Sequence, residues 1–295
     1  MFVQIASIVF PIFVVVLIGF IYGRNRRPNM IAANQVNMAV FMPALIFTAL
    51  ASKPFALSNL GMIALGGAVI VLGSGLLGWP IAKALGHAPK TLLPPMMFKN
   101  SGNMGLPLLS LAFGDKALPA AVILFLIETV MHFSIGTYWL GRNSRLIHLA
   151  RDPVFLAGFT GIAVSISGIT LWPPITAATK VVGDVSTGLM LFSLGVRLNT
   201  APFAQWRIGL VGAVATPITG MIVAYLYCRI LGLSAGEEDV LLLFGALPPA
   251  VLNFMFAERF KQEPEKVASI VIMGNLAALI SVSLALAIRL SSTHG

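Results

Sequence analysis

The sequence predicts an all-α integral membrane fold of ten helices, and three observations carry that prediction. Hydrophobic residues make up 58% of the chain and charged residues only 10%, with mean hydropathy +0.93, where a soluble domain carries about 25% charged residues. The 295 residues divide into ten apolar segments, each near the roughly 20 residues that cross hydrocarbon. Two of those segments, the fourth of each half, are interrupted by glycine, proline and asparagine. No length remains for a soluble domain or a nucleotide-binding fold.

The expected spans are 4–22, 31–51, 58–84, 91–113 and 117–140, then 153–170, 174–197, 206–230, 238–258 and 266–290. The first lacks a basic leading region, has a long apolar run and is followed by Arg24, Arg26 and Arg27. It reads as a retained helix and not as a cleaved signal. The third carries Gly66-Gly67 and Gly73-Ser-Gly-Leu-Leu-Gly78, small residues that suit close helix packing; they lack the setting and the Gly-Lys-Ser/Thr of a phosphate loop. A basic connection, 142–152, separates a first five-helix unit, 1–141, from a second, 153–295.

Charge sets the orientation. Connections after odd-numbered spans hold thirteen Lys and Arg residues (Arg24, Arg26, Arg27, Lys83, Lys90, Arg142, Arg145, Arg151, Arg197, Arg207, Arg259, Lys261 and Lys266), against four on the other side (Lys53, Lys116, Arg229 and Arg289). Basic loops stay in the cytoplasm, so both termini are expected outside, in a cytoplasmic membrane. The same bias accounts for the net charge of +9 without a nucleic-acid partner, since no aromatic residues interleave the basic ones. The single cysteine, Cys228, excludes an intramolecular disulfide and a multi-cysteine metal site. Five spans per half make the second half enter the membrane inverted; if the halves share a fold, they form the inverted repeat of secondary transporters.

The interruptions mark the candidate site. The fourth span contains Lys99-Asn100-Ser-Gly-Asn103-Met-Gly105-Leu-Pro107, and the ninth contains Pro248-Pro249-Ala-Val-Leu-Asn253. Glycine and proline weaken a helix, and backbone groups freed inside a bilayer need protein or water as partners. Two breaks meeting near the midplane would aim positive helix ends at an anion, or freed carbonyls and amides at a cation. The asparagines also suit interhelical bonding. Met96, Met97, Met104 and Met255 flank the breaks and suit either a reshaping pocket or gap filling.

These runs, with the ten-span plan, resemble the auxin efflux carrier family, which includes the plant PIN carriers and bacterial carriers labelled as malonate or malate transporters. The resemblance covers essentially the whole chain, and Asn100 to Leu108 is its most specific part. It implies two inverted five-helix repeats, with the fourth and ninth helices broken and crossing, scaffold and transport bundles, and elevator-type carriage of small organic anions. It also implies a homodimer through scaffold helices. The bile-acid sodium symporters share the fold, so fold alone does not choose the substrate.

Charged groups within spans are costly and face a bundle interior. They are Lys99, Glu128, Lys180 and Asp184, with His132 as a further ionisable group. Glu128 and His132, and likewise Lys180 and Asp184, stand four residues apart on one helix face. One account makes two buried ion pairs of the four charges. The other gives Lys99 the substrate carboxylate and gives Glu128 or Asp184, with His132 as relay, a coupling H+ or Na+. The candidate substrate site is therefore Lys99, Asn100, Asn103, Gly105, Pro107, Pro248, Pro249 and Asn253; no cofactor or metal is expected. Scattered histidines without a His-Glu-x-x-His motif argue against an intramembrane enzyme. The reading is a secondary carrier of carboxylates, a dicarboxylate such as malonate among them. A sodium-coupled carrier of another solute and a non-transporting sensor are the alternatives.

Overall fold

The computed structural model describes residues 2–51, 57–140, 151–199 and 205–292; residues 142–150 of the basic connection, Lys53 and His294 lie outside them. The described residues are helical apart from turns and one isolated bridge between Lys99 and Pro249. In chain order the helices are α1 (Phe2–Arg26), α2 (Ile31–Val36), α3 (Met42–Ala51), α4 (Leu57–Ala84), α5 (Pro89–Met97), α6 (Leu106–Phe113) and α7 (Leu118–Met131). There follow α8 (Thr137–Trp139), α9 (Pro153–Ser167), α10 (Pro173–Leu198), α11 (Trp206–Leu231), α12 (Ala235–Gly245), α13 (Leu252–Phe260) and α14 (Pro264–Ser292). Wider π turns join α2 to α3, precede α6 and join α7 to α8.

Among the described residues, seven helical stretches are long and apolar enough to cross a membrane: Ile5–Arg26, Ile31–Ala51, Gly61–Ala84, Leu118–Trp139, Pro173–Leu198, Trp206–Leu231 and Pro264–Arg289. The chain is a multi-pass membrane protein. α9 is apolar but shorter, and the segments of α5–α6 and α12–α13 are divided by non-helical residues. Local chemistry fixes several ends. Asp152 caps α9 by accepting the Val154 N–H (2.9 Å), with Pro153 at the first helical position. Ser234 and Glu237 form a capping box on α12. Gly168 and Gly232 end α9 and α11 in the left-handed conformation that glycine adopts without strain.

Two groups of helices emerge from the packing. α1, α3, α9 and α10 lie on one another, while α4, α5, α7, α11, α12 and α14 lie on one another. Lipid supplies no hydrophobic drive between helices, so backbone approach matters most. A Cβ added to Gly195 of α10 would collide with the Val16 carbonyl and the Phe20 N–H of α1. The α4 glycines receive large side chains: Tyr227 and Leu241 at Gly66, Leu124 at Gly67, Val223 at Gly73, Met97 at Gly75 and Met96 at Gly78. Met96 and Met97 thus fill space against α4, whereas Met255 lines cavities described below.

One end of the second group is closed by ions. Arg289 of α14 bonds Asp239 and lies 3.0 Å from Glu238, which lies 3.9 Å from Arg229. This network ties α11, α12 and α14 together. At the start of α14, Glu263 accepts from Thr91 of α5 (2.5 Å) and pairs with Lys266.

Candidate functional site

Helical structure stops at Met97 and resumes at Ser101; it stops again at Gly245 and resumes at Leu252. Phe98 is extended, at φ −99° and ψ 108°. The two non-helical segments cross and exchange backbone hydrogen bonds. The Asn100 N–H donates to the Pro248 carbonyl (2.7 Å) and the Ala250 N–H to the Phe98 carbonyl (3.0 Å). Each segment therefore supplies partners that the other's interruption removed, which is what backbone inside hydrocarbon requires.

Side chains complete the crossing. Asn253 Nδ2 donates to the carbonyls of Phe98 (3.0 Å) and Ala250 (2.9 Å). Asn275 of α14 accepts from Asn100 Nδ2 (2.8 Å) and donates to the Pro249 carbonyl (3.0 Å), touching both segments at once. The sequence reading missed Asn275; a lone amide in an apolar helix was the available signal. Gly105 and Pro107 are buried in the resumed turn. A Cβ on Gly105 would meet Leu247 of the other segment, so Gly105 permits close approach.

Glu128 of α7 is buried. Its carboxylate accepts the Lys99 N–H through one oxygen and the Ser101 hydroxyl through the other. It braces the first interruption from the side. His132, also buried, stacks on Phe98 with ring centroids 3.9 Å apart and meets Phe256 edge-on at 4.8 Å.

Lys99 lies apart from Lys180 and Asp184, and the expected burial of that pair is corrected. The Lys99 ammonium turns to α11, where it donates to the Thr216 carbonyl (2.7 Å) and abuts Gly220, itself in backbone contact with Gly245 at the end of α12. A cation there lies beside the C-terminal, negative end of α12. Lys180 and Asp184 do pair (3.3 Å), but their side chains are 53% and 60% exposed, and Lys180 also reaches Asp115 at 3.8 Å. Their face of α10 points outward, so they form neither a buried pair nor part of the Glu128 cluster.

A cavity of about 220 Å³ lies over the crossing. The two interrupted segments, α7 with the π turn after it, and α13 contribute Lys99–Asn103, Phe125, Glu128, Thr129, His132, Ala250–Leu252 and Met255. From the opposite side, α2, the π turn after it, α3 and α10 contribute Asn34, Asn37, Met38, Met42 and Arg197. Asn100 and Asn103 are thus at the cavity, and the N-terminal residues of both resumed helices form its wall. Arg197, in the last turn of α10, was placed by the sequence in a cytoplasmic connection.

A multi-pass helical chain with a polar cavity where two interrupted segments cross is a membrane transport protein. A family model described as "Membrane transport protein" matches residues 138–286. The chain is 20% identical over 299 residues to an "uncharacterized transporter" of Methanocaldococcus jannaschii, covering 94% of this chain and 96% of that one. It is 23% identical over 176 residues to auxin efflux carrier component 6 of Arabidopsis thaliana, covering 57% of this chain and 28% of that one. The chain belongs to the auxin efflux carrier family, and is a transporter, not an enzyme.

Proposed function

We propose that the protein is a secondary carrier of small organic anions, with carboxylates as the substrate class. The observation that carries this reading is the crossing itself. The first turns after both interruptions line one cavity, and unbonded N–H groups at helix starts favour negative charge. Asn100 and Asn103 add donors and Glu128 adds an ionisable group at the same wall.

The same reading takes the segments 89–113 and 235–260 as spans, each broken at its centre, giving ten spans in two inverted five-helix units. Support comes from correspondence, since each interruption falls in the fourth span of its half. The two packing groups serve as scaffold (α1, α3, α9, α10) and transport bundle, and the cavity between them suits elevator-type alternating access. The charge bias directs both termini outward.

Glu128 is the proposed coupling group, exchanging a proton during the cycle. Uptake into proteoliposomes should saturate with malonate or another carboxylate and vary with external pH, and Glu128→Gln should remove that pH dependence. A pH-independent parent matched by a pH-independent variant would end the proton hypothesis. Binding without flux would identify a sensor. The first measurement is thermal stabilisation of the purified protein by mono- and dicarboxylates, indole acids and bile acids, with and without sodium, since a ligand that binds the folded state raises the melting temperature. Stabilisation by a neutral or cationic solute alone would overturn the anion reading.

A further inference from the structure

We infer that Arg197 is the cation that receives the substrate's carboxylate, and that it does so from the opposite helix group to the interrupted segments. The inference rests on the organic-anion reading above and names the residue that fixes the anion. Two observations carry it. Arg197 lines the polar cavity at the crossing, facing a wall made by the resumed helix starts and by Asn100 and Asn103. It also lines a second, larger cavity of about 370 Å³ with Leu194, Val251, Phe254, Met255, Val271 and Asn275, of which Val251 and Met255 also border the first. Arg197 therefore borders both cavities.

Guanidinium suits the task. Its planar fork binds a carboxylate through two parallel hydrogen bonds, and it stays charged away from water. Because Arg197 belongs to α10 and the remaining anion ligands to α5–α6 and α12–α13, a bound carboxylate would bridge the two groups. Movement of one group past the other then separates the substrate from Arg197, giving a built-in release step.

The test uses purified full-length protein and malonate, succinate, butyrate, indole-3-acetate and cholate as probes. Melting shifts are measured against chloride at equal ionic strength for the parent, Arg197→Gln, Arg197→Lys and Lys99→Gln. For the probe that stabilises the parent, Arg197→Gln should weaken binding by about tenfold or more, the scale of a charge-assisted pair. Arg197→Lys should recover part of that loss, and transport should show a raised KM. The ligand-free melting temperature separates folding defects from binding, and the lysine variant serves if the glutamine variant does not fold. An unchanged probe shift in Arg197→Gln overturns the assignment while leaving the anion carrier standing. A parent that no carboxylate stabilises overturns the anion reading and this inference with it.

Discussion

Asn275 shows how one side chain can hold two segments that have no helix of their own. Its amide accepts from Asn100 and donates to the Pro249 carbonyl, so removing it strands groups on both segments. Asn275→Ala is expected to destabilise the protein by about 1–3 kcal/mol, the cost of leaving buried polar groups unpaired. Melting of the detergent-solubilised protein measures it. A double-mutant cycle with Asn100→Ala should show coupling, since the two share one bond. Glu263 offers a second test at this scale. Its bonds to Lys266 and Thr91 hold its carboxyl below the usual carboxylate range. A group whose acidity rises on folding stabilises the folded state above its unfolded value and loses that contribution as pH falls through its folded value. Acidification through the carboxylate range should therefore loosen the tie between α5 and α14, and Glu263→Gln should flatten that acid limb of the melting profile. An acid limb unchanged in the variant would assign it elsewhere.

Helix faces set the next scale. α1 and α10 meet where Gly195 admits the α1 backbone, and no side chain fits there. Gly195→Ala should cost about 1–3 kcal/mol, the range for overpacking. Gly188, seven residues earlier on α10, has nothing within 4 Å of an added Cβ. Gly188→Ala should leave stability unchanged or raise it by up to about 1 kcal/mol, because alanine loses less backbone freedom. Equal effects of the two would mean that α10 packs on α1 differently. The methionines divide along the same line, with Met96 and Met97 filling the hollows left by α4 glycines and Met255 bordering both cavities.

For the whole molecule, the division into two helix groups with a polar cavity between them is the feature on which the proposed carrier function rests. It makes the orientation of the chain testable. Cys228 is buried, so single cysteines introduced at Gln262 or Lys116 should dominate the labelling of each variant by an impermeant reagent. Labelling at Lys116 alone, with Gln262 reacting only after permeabilisation, is expected from the charge bias. The reverse pattern would invert the proposed topology.

The sequence by itself determined the membrane class, the helix boundaries to within a few residues, and the two runs where helices stop. Those properties follow from composition, hydropathy and the backbone preferences of glycine and proline, which act over a few neighbouring residues. It also marked Asn100, Asn253 and Glu128, because polar groups in apolar spans stand out without any fold. Only the tertiary structure decided what the charges face. The Lys99 ammonium turns to a carbonyl on α11, while Arg197, expected in a connection, lines the cavity; Lys180 and Asp184 lie on an exposed face; Asn275 joins both segments. A side chain's partners come from helices more than a hundred residues away, as with Lys99 and Thr216. No local pattern encodes that pairing, because it depends on how whole helices cross.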